Sequence, residues 1–141
     1  MMESAEVKLD FQRHQRLGIS EAVLCAQKSP AQIGEILDQA RAGGETLLLT
    51  RLGAEKAAEL APEQQRRLDY DPVSETAFFM RPLRPLAPAQ VAVVTAGTSD
   101  AGPAREAIRT LEFHGLGSTA IFDVGVAGIW RLMDRVDEIK R

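Results

Sequence analysis

The chain has 141 residues, 45% of them hydrophobic, enough to bury a core in one ordinary domain or two small ones. Its formal charge of −3 and pI near 5.4 give no basic footprint, which argues against a broad nucleic-acid surface and leaves room only for a local anion site. No run of about 18 apolar residues occurs and Met1-Met2-Glu3-Ser4-Ala5-Glu6 lacks the order of a signal peptide, so a cytoplasmic protein with no membrane partner is expected; one cysteine, Cys25, excludes an intramolecular disulfide, and His14 and His114 alone give no zinc set, so no metal site is expected.

Residues 3–16 carry Val7, Leu9 and Phe11 among charged neighbours, with Leu17 and Gly18 following, and read as a short helix. Ala22-Val23-Leu24-Cys25 reads as a strand. Ser29-Pro30-Ala31-Gln32 is a capping box with proline at the first helical position. The helix it opens places Ile33, Ile36, Leu37 and Ala40 on one face and stops at Gly43-Gly44. Thr46-Leu47-Leu48-Leu49-Thr50 is a second strand, 54–60 a short alanine-rich helix, and Thr76-Ala77-Phe78-Phe79-Met80 a third strand. Residues 1–80 therefore form a small N-terminal α/β domain. Arg66, Arg67, Glu55, Lys56 and Glu59 read as solvated surface; the Arg13/Arg16 pair could reach a phosphate but reads better in a surface salt-bridge role.

The segment 81–88 places Pro82, Pro85 and Pro88 close together, which disfavours helix and central strand and predicts an extended linker. Over 89–141 the pattern predicts a strand at 91–95, a helix at 101–114, a strand at 119–123 and a helix from 126 to about 140. Ala104, Ala107, Ile108 and Leu111 form one helix face; Ile129, Leu132, Met133, Val136 and Ile139 form the other. The strands Val91-Ala92-Val93-Val94 and Ala120-Ile121-Phe122 are continuously apolar, as expected of parallel strands buried on both faces, with a right-handed connection. The fold class is α/β: a small N-terminal α/β domain, then the first βαβα part of a doubly wound parallel sheet. Two strands leave both sheet edges unpaired, so the chain is expected to stop partway through a longer domain or to be completed by other strands or protomers.

Chemistry concentrates in two glycine-rich turns, Ala96-Gly97-Thr98-Ser99-Asp100 and Asp123-Val124-Gly125-Val126-Ala127-Gly128. Each follows an apolar run and opens a helix, where unpaired N–H groups and the positive end of the dipole favour an anion such as phosphate. On the residues alone, the first turn is equally a strand-to-helix turn capped by Ser99 or Asp100. Asp123 gains weight from lying at the carboxyl end of a strand, where open α/β sheets bind ligands. Gly115-Leu116-Gly117-Ser118-Thr119-Ala120 imitates a dinucleotide fingerprint but follows a helix and precedes a strand, the reverse of the required context, and reads as a turn. Cys25, in an apolar run, reads as a buried small hydrophobe.

These two turns, together with Leu9-Asp10-Phe11-Gln12-Arg13, Gly18-Ile19-Ser20-Glu21-Ala22-Val23, Lys28-Ser29-Pro30-Ala31-Gln32-Ile33 and Thr50-Arg51, resemble the LarB family of nickel-pincer cofactor biosynthesis. The second domain of that family is similar to the purine-pathway AIR carboxylases, which are flavodoxin-like. The resemblance implies a carboxylase and hydrolase that adds CO2, its co-substrate, to the pyridinium ring of nicotinic acid adenine dinucleotide. AMP is released and pyridinium-3,5-biscarboxylic acid mononucleotide remains. It implies no tightly bound cofactor, allows magnesium as an assisting ion, and points to a homo-oligomer. By the same resemblance Gly97, Thr98, Ser99 and Asp100 cradle a phosphate and ribose, Asp123, Gly125 and Gly128 line the same crevice, and Arg131 clamps a phosphate. The family's cysteine nucleophile corresponds to a segment beyond Arg141, so no catalytic residue is assigned and the chain is expected to be a fragment. Where the family keeps a His-Arg pair this chain has Trp130-Arg131, which removes a titratable group. The competing expectation is a non-catalytic nucleotide-binding or assembly module.

Overall fold

The computed structural model describes residues 8–10 and 12–141, which divide into two compact units, Met1–Pro82 and Leu83–Arg141. Among the described residues no helix is long and apolar enough to cross a membrane.

In the first unit, α1 (Arg13–Leu17) is a single turn ended by Gly18 in the left-handed region. Residues 3–7 and Phe11 of the expected longer helix lie outside the described residues. Asp10 holds the start of α1, accepting the Gln12 N–H and pairing with Arg16, while its own N–H donates to Glu21. β1 (Ala22–Leu24) then leads to α2 (Pro30–Gly43). α2 begins where Ser29 and Gln32 exchange side-chain-to-backbone hydrogen bonds at 3.2 and 3.0 Å and stops at Gly44, φ +70°. β2 (Leu47–Thr50), α3 (Ala54–Glu59), α4 (Pro62–Gln65), β3 (Leu68–Asp71) and β4 (Thr76–Phe79) follow.

The sheet order is β1-β2-β4-β3, with β1 parallel to β2 and the other pairings antiparallel. The expected face of α2, Ile33, Ile36, Leu37 and Ala40, is buried with Val23, Leu47, Leu49 and Phe79. Each such large side chain contributes about 2 kcal/mol by leaving water. α4 and β3 were not expected. β3 is an edge strand in which Leu68 and Tyr70 pack on the core while Asp69 and Asp71 alternate with them, so its apolar signal is only half a strand's worth.

The second unit pairs β5 (Ala87–Val94) in parallel with β6 (Leu116–Ile121), joined through α5 (Ala101–Phe113) and followed by α6 (Ile129–Ile139). Short 3-10 turns, Thr98–Asp100 and Val126–Gly128, precede the two helices. Both strands begin earlier than expected. The Ala87 N–H donates to the Gly115 carbonyl at 2.9 Å, and a register shift between Ala87 and Val91 absorbs Pro88, so the strand enters the proline-rich segment. Gly115, φ +80°, turns the chain out of α5, and Gly117 lets β5 approach: a Cβ there would lie 2.5 Å from the Ala87 carbonyl oxygen.

Burial in this unit also departs from expectation. Ile121 is fully buried, but β5 is largely exposed, with Val91 43% and Val94 44% accessible. One two-stranded sheet with one packed helix cannot bury both strand faces. On α5, Ala104 is buried and Ile108 and Leu111 are half-buried, whereas Ala107 is exposed and Arg109 takes a buried place instead. α6 buries none of its residues, although its apolar stripe is regular.

Candidate functional site

The carboxyl ends of β5 and β6 are stitched together by backbone. Thr95 donates its N–H to Ile121 at 3.0 Å, and its carbonyl accepts the Val124 N–H at 3.0 Å. The Thr95 hydroxyl oxygen accepts the Asp123 N–H at 3.3 Å, and the Ala96 carbonyl accepts the Gly125 N–H at 3.0 Å. The two glycine turns are therefore locked side by side. Gly125 is required by this approach, since a Cβ would stand 2.9 Å from the Ala96 oxygen. Asp123 adopts φ +58°, a left-handed conformation that aspartate tolerates better than most residues. Thr95, buried and central to this arrangement, was not singled out in the sequence, where it reads as the end of an apolar strand.

From this corner the Asp123 carboxylate accepts a 2.6 Å hydrogen bond from Arg131 Nη1. The guanidinium also lies over the Trp130 ring, 5.2 Å from its centroid. Gly128 leaves room for both side chains: a Cβ there would be 3.3 Å from Trp130 Nε1 and 3.4 Å from Arg131 Nε. Ala96, Asp123, Gly125, Ala127, Gly128, Trp130 and Arg131 line an open crevice of about 460 Å³. Four of the expected site residues, Asp123, Gly125, Gly128 and Arg131, thus meet in one place. The ion pair is partly exposed and therefore worth little, and it engages one nitrogen of a guanidinium that carries five donors. An arriving phosphate could be bound without breaking a strong prior bond.

The other four do not line that crevice. Gly97, Thr98, Ser99 and Asp100 form the neighbouring turn, in which Asp100 Oδ2 accepts the Gly97 N–H at 3.0 Å. The carboxylate thus occupies the nearest N–H that an anion would use. Ala96 alone joins this turn to the crevice lining.

In the first unit Cys25 is fully buried, and burial pushes its thiol up to about 11 against the weaker opposing charges of Lys28 and Lys56. It is no thiolate near neutral pH. Lys56, read as plain surface, instead donates from Nζ to the carbonyls of Cys25 and Ala26 at 3.0 and 2.8 Å, holding the loop after β1. Among the described residues no three His, Cys, Asp or Glu side chains gather to hold a metal ion. Asp123, the one carboxylate among the residues that line the crevice, is paired with Arg131.

Residues 2–81 match the family described as the LarB/PurE-like N-terminal domain. The Asp123–Arg131 crevice lies outside that stretch. An uncharacterized protein of Methanocaldococcus jannaschii is 51% identical over 43 residues, which is 30% of this chain and 17% of that protein. The matched stretch thus spans about a sixth of the length of this relative.

Proposed function

The chain belongs to the LarB/PurE-like N-terminal domain family, which is carboxylase-related, and from that premise we propose that it serves the carboxylation and hydrolysis of nicotinic acid adenine dinucleotide in nickel-pincer cofactor biosynthesis. In this reading CO2 is the co-substrate, and the products are pyridinium-3,5-biscarboxylic acid mononucleotide and AMP. The observation that carries it is the convergence of Asp123, Gly125, Gly128 and Arg131 at the carboxyl ends of two parallel strands, where α/β sheets receive nucleotides.

Arg131 would bind a phosphate of the dinucleotide through donors that Asp123 leaves free, and Asp123 would hold the guanidinium in place. Gly125 and Gly128 let the backbone approach the ligand. Thr98 and Ser99 would donate hydroxyl hydrogen bonds to ribose or phosphate, with Gly97 and Asp100 shaping their turn. The ring chemistry needs a nucleophile, because an electron-poor pyridinium carbon does not attack CO2 until an addition to the ring makes it enamine-like. Cys25 does not suit that role, being buried and protonated. The residues of the crevice would contribute binding and orientation to that reaction. Cytoplasmic location and homo-oligomeric assembly belong to the same proposal, the latter supported by the uncovered apolar stripe of α6 and checked by light scattering.

Titration calorimetry with nicotinic acid adenine dinucleotide tests the reading. The wild type should bind saturably, and Arg131→Ala should weaken binding by about tenfold or more, the worth of a charge-assisted hydrogen bond. Absence of binding by the wild type, or an unchanged affinity in the variant, would sink it. A second reading, a nucleotide-binding module without catalysis, is favoured by the lack of a reactive thiol at Cys25. Mass detection of a carboxylated mononucleotide after incubation with bicarbonate separates the two: product supports the enzyme, binding without product the module.

A further inference from the structure

The first unit contains a parallel strand-helix-strand arrangement of its own, β1-α2-β2, and cations gather where its two strands end. The Cys25 N–H donates to the Thr50 carbonyl at 2.9 Å, which brings the segment after β1 beside Arg51, the first residue after β2. The Cys25 carbonyl in turn accepts the Lys28 N–H at 3.1 Å and a bond from Lys56 Nζ at 3.0 Å. Lys28, Arg51 and Lys56, apart in sequence, are thereby joined around one residue. The charges of Lys28 and Lys56 are both felt at the Cys25 thiol, where they oppose the larger effect of burial.

These charges are not cancelled. Lys56 gives two of its three N–H donors to the carbonyls of Cys25 and Ala26, which fixes its ammonium in place and leaves its charge unmatched. Among the described residues none of the three cations forms an ion pair, although Glu55 adjoins Lys56 in the chain and the Glu75 carbonyl accepts the Leu52 N–H beside Arg51 at 2.8 Å. Such a gathering is not the drift of a basic protein, since the chain carries 20 acidic residues against 17 basic ones. Arg51 is exposed and held at φ +52°, a left-handed conformation that costs free energy in most residues other than glycine. The start of α2 is already satisfied by Ser29 and Gln32, so the attraction for an anion rests on the side chains rather than on the helix.

We propose that Lys28, Arg51 and Lys56 form an oxyanion-binding site in the first unit, at the carboxyl ends of β1 and β2, that takes the phosphate group of a small molecule. Parallel strand ends are where α/β units receive ligands. Two ammonium point charges and one planar guanidinium suit the several oxygens of a phosphate better than those of a single carboxylate. The net negative charge of the chain opposes a long polyanion at the same place. The site shares no residue with the Asp123–Arg131 crevice, and it neither requires nor replaces nucleotide binding there.

Titration of the whole chain with inorganic phosphate at constant ionic strength, followed through backbone amide NMR shifts, tests the site. The amides of Cys25, Ala26, Lys28, Arg51 and Leu52 should shift saturably. Lys28→Gln should weaken this binding about threefold and Arg51→Gly about fivefold or more, the latter losing a charge-assisted fork. Arg51→Gly should nevertheless keep the urea midpoint of the first unit at least as high as in the wild type, because glycine accepts the left-handed backbone without steric cost. Arg131→Ala should leave these shifts unchanged, which separates the site from phosphate bound at the crevice. Acetate should bind at least about threefold more weakly than phosphate. Shifts that never saturate, that chloride reproduces, that survive both Lys28→Gln and Arg51→Gly, or that acetate matches in affinity would overturn the proposal.

Discussion

Cys25 lies fully buried in the first unit, its S–H directed at the Val23 carbonyl 3.6 Å away. Burial holds the proton on the folded thiol to about pH 11, whereas an unfolded thiol releases it near ~8.5. In between, the folded form binds more protons, so the stabilisation is complete below about pH 8.5 and is lost as the pH rises through 11. The loss should reach about 2–3 kcal/mol, and urea unfolding of the wild type at pH 8 and pH 10.5 should show it. Cys25→Ala should be less stable at pH 8 but should show a smaller decline with pH; an identical decline would assign the effect to other groups. Tyr70, raised by burial and by Glu75 and Asp71, pulls the same way in both proteins. Alkylation by iodoacetamide at pH 7 should be negligible until the unit unfolds. At this scale the sequence was informative where a residue's surroundings are local. The apolar neighbours of Cys25 announced its burial, but the two carbonyls that engage Lys56 lie some thirty residues away in sequence and left no local trace.

The helix α2 was readable almost to the residue because its cap, its first-turn proline, its 3.6-residue period and its glycine stop all act within one segment. β3 escaped because an edge strand needs only one apolar face, and the start of β5 because prolines are tolerated where a register shift releases the ladder. In α6 the periodicity marked which residues favour burial, and periodicity carries no information about what covers them. The candidate site was half legible. Strand-end glycines could be identified from the order of elements and Arg131 from the family resemblance, but a carboxylate that caps its own turn and one that greets a ligand look alike in sequence, as Asp100 shows. The glycines give a direct test at this scale. Gly117→Ala would drive a methyl against the Ala87 carbonyl, and the required shift should destabilise the second unit by about 1–3 kcal/mol. Gly125→Ala meets the Ala96 carbonyl in the same way but at the crevice. It should weaken nucleotide binding while leaving unfolding of the first unit unchanged. Normal binding by Gly125→Ala would mean that the close approach of the two turns is not needed.

The two units differ in how much apolar surface each can bury. The first holds the large side chains Ile33, Leu37, Leu49, Leu52 and Phe79 fully buried, whereas hydrophobic burial in the second rests on Ala104, Ile121 and Val124. With a smaller core to set against chain entropy, the second unit should open more readily. Hydrogen exchange should therefore be faster in β5, α5 and β6 than in β2, α2 and β4. The nucleotide reading adds a sharper expectation, because a ligand that binds only the folded second unit stabilises that unit by mass action. Nicotinic acid adenine dinucleotide at about a hundred times its dissociation constant should slow exchange there by an amount equivalent to about 2.7 kcal/mol. The amides of Thr95, Asp123, Val124 and Gly125, which tie the two turns together, should respond most. Protection confined to the first unit would remove the binding function from the crevice. Equal protection of both units would mean that the crevice alone does not carry it.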